Sequence, residues 1–257
     1  MRHSAVTLWL IPLLLPLVMV CSPQPHDPTG LGDLGNGKKV LFIGNSLTHS
    51  NDLPTMVQII GEAAGHEIAV RSFTLADFSL QDHLGHGEAQ KVIQAADWDI
   101  VVLQQGPSSL ALRKLQLKDS SQKFDTIIRA QGAKPALFMV WPEADRIATF
   151  DAVSDAYSKA AEAVDGLLFP VGEAWRAAWD RAPELGFYST DGFHPTQLGS
   201  MLGALVIFQQ IFEESPVGLP SQLVPLTPGL ETLTIPPHLN TLLQEAAAQA
   251  NAEFGRQ

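Results

Sequence analysis

The sequence predicts a three-layer α/β/α fold, flanking helices around a parallel sheet of about five strands. Two patterns lead there. Five short apolar runs recur along the chain: KVLFIG from Lys39, IAVRSF from Ile68, DIVVLQ from Asp99, PALFMVW from Pro135 and GLLFPVG from Gly166. They are continuous, rich in Val, Ile, Leu and Phe, and do not alternate with polar residues, as strands covered on both faces should be. Helix-length amphipathic segments separate them, which is the spacing that crossover connections between parallel strands require.

The intervening segments follow in order. DLPTMVQIIGEAAG (Asp52 to Gly65) is the first predicted helix, an amphipathic stretch. A second helix is predicted from Leu84 to Ala96, a third over DSSQKFDTIIRAQG from Asp119, and a fourth over FDAVSDAYSKAAEAV from Phe150. Pro195 is placed to start a fifth, with an apolar pattern that runs through Phe208. The α/β unit therefore covers 38–213. Residues 214–257 hold a Pro-rich connector, SPVGLPSQLVPLTPG, and a final predicted helix, PPHLNTLLQEAAAQANAEF.

The N-terminus reads differently. Residues 1–21 have the form of an export signal: Arg2 and His3 precede an apolar stretch from about Leu8 to Val20, interrupted by Pro12 and Pro16. The stretch is shorter than a membrane-spanning helix needs. Cys21, the only cysteine, sits where it ends, as in a bacterial lipoprotein signal, although Val20 stands where such signals carry a small residue. The expectation is an exported chain, periplasmic or anchored to a membrane through lipid on Cys21. A single cysteine excludes an intrachain disulfide. Residues 22–37 are polar and rich in Pro and Gly and read as a flexible tether. Gly30, Gly32 and Gly35 have GxGxxG spacing, but they precede the first strand, whereas a dinucleotide loop must follow one.

Composition narrows the function. Hydrophobic content of 46% with 17% charge is globular. With 27 acidic against 16 Lys and Arg residues, and no basic cluster, nucleic acid is excluded as a partner, and the membrane enters only through the anchor.

In VLFIGNSLTHSNDLP (Val40 to Pro54) a buried strand ends in a bare hydroxyl, Ser46, followed at once by a helical pattern. Ligands of open α/β sheets sit at the carboxyl ends of the strands, so Ser46 is a candidate nucleophile, though a Gly-Asn-Ser turn also serves as a plain helix cap. A serine needs a base, and a base needs an orienting acceptor. YSTDGFHPTQLGSMLGALVIF offers both, with Asp191 three residues before His194 at the entrance to the last domain helix. Alone, that pattern is equally a capped helix start or half of a metal site.

Together, GNSLT and DGFHP resemble the SGNH hydrolases, also called the GDSL esterase/lipase superfamily, over roughly Lys38 to Phe212. The resemblance implies a flavodoxin-like sandwich and ester hydrolysis without metal or cofactor, with Ser46 as nucleophile, His194 as base, Asp191 as orienting acid and the Ser46 N–H as one oxyanion donor. The middle motifs depart from the family. Its second-block glycine is missing from FTLADFSLQDH, so a main-chain N–H near Ala76 or Asp77 is expected to serve. Its Gly-x-Asn-Asp block is replaced by LQQGPSS, which puts Ser108 at the Asn position, and the amide of Gln104 or Gln105 is expected to take over as donor. Asn45, Ser108 and Trp141 are expected to line the substrate. Glu143, Asp145 and Arg146 are weaker candidates. Trp175 and Trp179 are read as packing and His83 and His86 as surface residues with no third metal ligand nearby.

The expected substrate is a small-molecule or carbohydrate ester with a short acyl group such as acetyl, because no long apolar lid segment is visible. An acyltransferase shares the acyl-enzyme and remains open, as does a surface-tethered binding protein on a degenerate form of the fold.

Overall fold

The computed structural model describes residues 34–256, so the export signal, Cys21 and most of the tether lie outside the described residues. Five parallel strands form one sheet: β1 (Lys38–Gly44), β2 (Ile68–Thr74), β3 (Ile100–Leu103), β4 (Lys134–Phe138) and β5 (Leu167–Phe169), in the order β2-β1-β3-β4-β5. Each of the five apolar runs is one of these strands. The chain reverses direction across the sheet between β1 and β3, so a crevice opens at their carboxyl ends. Register fixes what meets there. Gly44 pairs with Thr74 and Ile43 with Leu103, so the loops after β2 and β3 flank the loop after β1.

Helices cover both faces. After β1 come a single turn, α1 (Ser46–His49), and then α2 (Leu53–Ala63). The predicted 84–96 helix is two helices, α3 (Leu80–His86) and α4 (Glu88–Gln94), because Gly87 takes a left-handed conformation (φ 88°) that ends the first. The third, α5 (Ala111–Ala130), starts eight residues before Asp119, and α6 (Phe150–Ala163) matches its segment. α7 (Val171–Trp179) follows β5 directly, and α8 (Gln197–Phe212) begins two residues after Pro195, capped by Thr196. Helices α3 to α6 pack together on one side, and α2, α7, α8 and the C-terminal α9 (Pro237–Phe254) on the other.

Helix α8 is apolar nearly all round because α2, α7 and α9 surround it. Leu243, Ala246, Ala247 and Ala250 of α9 belong to the same core as the sheet. Asn251 of α9 donates to the Val206 carbonyl of α8, and the Arg256 carbonyl accepts from Leu168 N–H on the edge strand β5. The Pro-rich connector is tied down through Glu62 of α2, whose carboxylate accepts from Leu226 N–H, Thr227 N–H, the Thr227 hydroxyl and Gln58 Nε2. A short antiparallel pair joins β6 (Gln222–Leu223), inside the connector, to β7 (Leu233–Thr234), just before α9. Among the described residues no helix is long and apolar enough to cross a membrane.

Candidate active site

The site begins where β1 stops. Asn45 has an extended backbone and caps α1, its Oδ1 accepting from Leu47 N–H, so Ser46 is the first helical residue and its N–H meets no protein acceptor among the described residues. Gly44 is required at this turn: a Cβ there would lie 2.5 Å from both Gln104 Oε1 and Thr48 Oγ1.

From the far end of the chain, His194 Nε2 lies 2.8 Å from Ser46 Oγ, and His194 Nδ1 lies 2.6 Å from Asp191 Oδ2. Asp191 Oδ1 also accepts from the Ser189 hydroxyl and from the N–H groups of Phe193 and His194. The bond from the His194 ring, and then these others, hold its carboxyl well below the usual aspartate value. An ionised Asp191 places the imidazole proton on Nδ1, which leaves Nε2 to accept from the Ser46 hydroxyl. The segment with Asp191 and His194 is a small loop closed by Thr196 N–H to Phe187 O and Ser189 N–H to His194 O.

Asn51 joins the two ends of the site. Its left-handed backbone (φ 57°) sends Nδ2 to the Pro195 carbonyl and to Ser200 Oγ. Only its place beside Ser46, and the tolerance of asparagine for that conformation, could have pointed to it.

Ser46 opens onto a cleft of about 360 Å³ that Asn45, Asp77, Phe78, Gln105, Ser108 and Phe193 also line, with Ser79, Asp82, Ser109, Leu110, Arg113, Glu143 and Arg146 toward the rim. Of the expected oxyanion donors, Asp77 is at the cleft, with a left-handed backbone (φ 62°) and an N–H free of protein acceptors among the described residues. Gln104 is not a donor. It is fully buried and saturated: Oε1 accepts from Asn45 N–H and Thr48 Oγ1, and Nε2 spends both hydrogens on Asn45 Oδ1 and the Gln105 carbonyl. Gln105 differs, because its Oε1 takes Leu80 N–H while its Nε2 gives one hydrogen to Ser108 Oγ and keeps the other.

Trp141 does not line the substrate cleft. It is fully buried, stacked on Trp175 at 3.6 Å between ring centres, because its ring has the volume to fill the space between β4 and α7. His83 is likewise not at the surface. It is buried with Nε2 against the Gly44 carbonyl, and burial lowers its pKa and keeps it neutral. His86 is exposed, and His49 and Asp145 lie outside the cleft lining. Among the described residues no group of three His, Cys, Asp or Glu could hold a metal ion.

No family model and no curated protein matches the chain. Solved structures do. A protein from Slackia heliotrinireducens assigned to the SGNH hydrolases is 27% identical with a TM-score of 0.59, over 68% of this chain and 100% of that one. A DUF4886 family protein from Bacteroides uniformis is 19% identical with a TM-score of 0.62, over 84% and 95%. An acetylxylan esterase from Geobacillus stearothermophilus, solved as a catalytic mutant, is 16% identical with a TM-score of 0.52, over 69% and 95%. The last two speak for the fold alone. The sheet order, the motif at the end of β1 and the likeness to the Slackia protein taken together make this chain similar to the SGNH hydrolases, with their fold.

Proposed function

We propose that the protein is a serine esterase that removes a short acyl group, such as acetyl, from a carbohydrate or similarly polar alcohol. The observation that carries this reading is the unbroken relay from Asp191 Oδ2 through His194 to Ser46 Oγ. Ser46 attacks the ester carbonyl as His194 Nε2 takes its proton, and Asp191 orients the imidazole and stabilises its charged form. The anionic oxygen of the tetrahedral intermediate is held by the N–H groups of Ser46 and Asp77 and by the unused Gln105 hydrogen. His194 returns the proton to the leaving alcohol, and water, deprotonated by the same base, releases the acid from Ser46.

The cleft supports the choice of substrate. Its lining mixes the hydroxyls of Ser79 and Ser109, the carboxylates of Asp82 and Glu143 and the guanidinium groups of Arg113 and Arg146 with the rings of Phe78 and Phe193, which suits a polyol better than an acyl chain. A similar fold in an acetylxylan esterase points the same way. On sequence grounds the enzyme works outside the cytoplasm, lipidated at Cys21.

Fluorophosphonate labelling with peptide mapping tests the chemistry. Stoichiometric modification at Ser46, absent from Ser46→Ala, together with acetate release from an acetylated oligosaccharide, is the expected result. A folded wild-type chain that binds the sugar but is neither labelled nor active would overturn the esterase in favour of a binding protein.

A further inference from the structure

The loop that carries Asp191 and His194 has little regular structure of its own; its only strand-like feature is a bridge between Tyr188 and Pro195. Surface loops of this kind move, yet proton transfer tolerates little misplacement. Three tryptophans resolve this. Trp179 Nε1 donates to the Leu185 carbonyl at 2.8 Å, Trp141 Nε1 to the Phe193 carbonyl at 2.9 Å and Trp175 Nε1 to the Gly199 carbonyl at 3.2 Å. One segment is thus held at its start, beside its histidine and at its end.

Trp141 has the most direct hold. The Phe193 carbonyl and the His194 N–H belong to one peptide group; Trp141 binds its oxygen and Asp191 its hydrogen. The plane from which the His194 side chain departs is therefore fixed on both edges. Trp141 is itself immobilised by its stack on Trp175, and Trp175 reaches α8 only because residue 199 is glycine: a Cβ there would lie 2.6 Å from Trp175 Cζ2. The Tyr188 hydroxyl, donating to Pro142 O, and Ala144 N–H, donating to Gly192 O, bind the same loop to the segment that follows Trp141.

We propose that Trp141, backed by Trp175 and Trp179, is a positioning residue that aligns His194 for proton transfer. The proposal rests on the reading of His194 as the base. Trp141→Phe keeps an aromatic ring against Trp175 and removes the donor. Trp98→Phe removes an equivalent indole bond, to the Val92 carbonyl, far from this loop. With the full chain, kcat for acetyl-ester hydrolysis and the rate of Ser46 phosphonylation should both fall about tenfold or more in Trp141→Phe while KM stays within about twofold, a misplacement effect. Trp98→Phe should lose thermal stability only. If Trp141→Phe does not fold, a benzothienyl analogue at position 141, which lacks only the N–H, makes the same comparison. Wild-type kcat in the folded Trp141 variant overturns the proposal alone. An inert wild-type enzyme overturns the esterase reading and this proposal with it.

Discussion

Replacing Gln104 with leucine keeps most of the volume of a fully buried side chain and deletes its amide. Of the groups that amide serves, two keep a second partner: Asn45 Oδ1 retains Leu47 N–H, and the Gln105 carbonyl retains the Tyr157 hydroxyl. The other two, Asn45 N–H and the Thr48 hydroxyl, lose their partner in a region closed to water. Each orphaned buried group costs about 1–3 kcal/mol, so the pair costs about 2–6 kcal/mol. At about 2–4 °C per kcal/mol for a chain of this size, Tm falls by about 4–24 °C. Differential scanning fluorimetry of wild type and Gln104→Leu measures the fall, and Ser46 phosphonylation well below Tm reads the turn. The refuting pattern is an unchanged Tm with a rate loss of about 10²–10³, which is what removal of an oxyanion donor produces. Gln104 would then be aimed at substrate after all.

Other perturbations separate the remaining roles. Asp191→Asn should slow ester turnover by about 10²–10⁴ with the fold intact, since it removes the charge that orients His194 Nδ1–H; steady-state kinetics beside far-UV circular dichroism decides it. Because hydrogen bonds led by the one from His194 depress the Asp191 carboxyl, its contribution to stability is complete above its unfolded-state pKa and is lost only as pH falls through the lower folded-state value. Holding the protein in mildly acidic buffer should therefore leave this loop closed, as amide exchange of Phe193 and His194 would report. Gly44→Ala should cripple Ser46 labelling, since the new methyl overlaps Gln104 and Thr48; an unimpaired labelling rate would show that the turn can yield. At Glu62, burial alone would raise the carboxyl, but hydrogen bonds from Thr227, Gln58 and Leu226 outweigh it and hold the pKa below the ordinary value. Glu62→Gln should therefore be less stable than wild type at neutral pH, and urea titrations at descending pH should show the two converging as the wild-type carboxyl protonates.

The strands were legible because a sheet buried on both faces writes itself as continuous Val, Ile, Leu and Phe runs. Ser46, Asp191 and His194 could be paired because each lies at a boundary where the pattern changes. What escaped was what depends on hydrogen-bond partners and long-range packing. LQQGPSS offers two amides of identical chemistry, and only the Asn45 and Thr48 partners across the β1–β3 pairing show which one is consumed inside the turn. Trp141 ends an apolar run at the site's edge, where a pocket wall and a core indole look alike until Trp175, far along the chain, is seen beneath it. His83 misled because histidine in a polar helix is usually solvated; here Phe73 and Phe78 enclose it. The C-terminal helix had no place in the α/β unit read from the sequence, because the Pro-rich connector hides its partnership with α8.

Strand β1 carries a consequence of orientation. The chain enters it at Lys38 and leaves it at Gly44, about 20 Å further on at the usual rise per residue. Residue 34 therefore lies at the blunt pole of the sheet, beside His66 and the Glu62-anchored connector, while Ser46 looks out from the opposite pole. The described chain thus begins on the side of the molecule away from Ser46. The rim of the cleft is thereby kept clear of the point where the chain enters the fold.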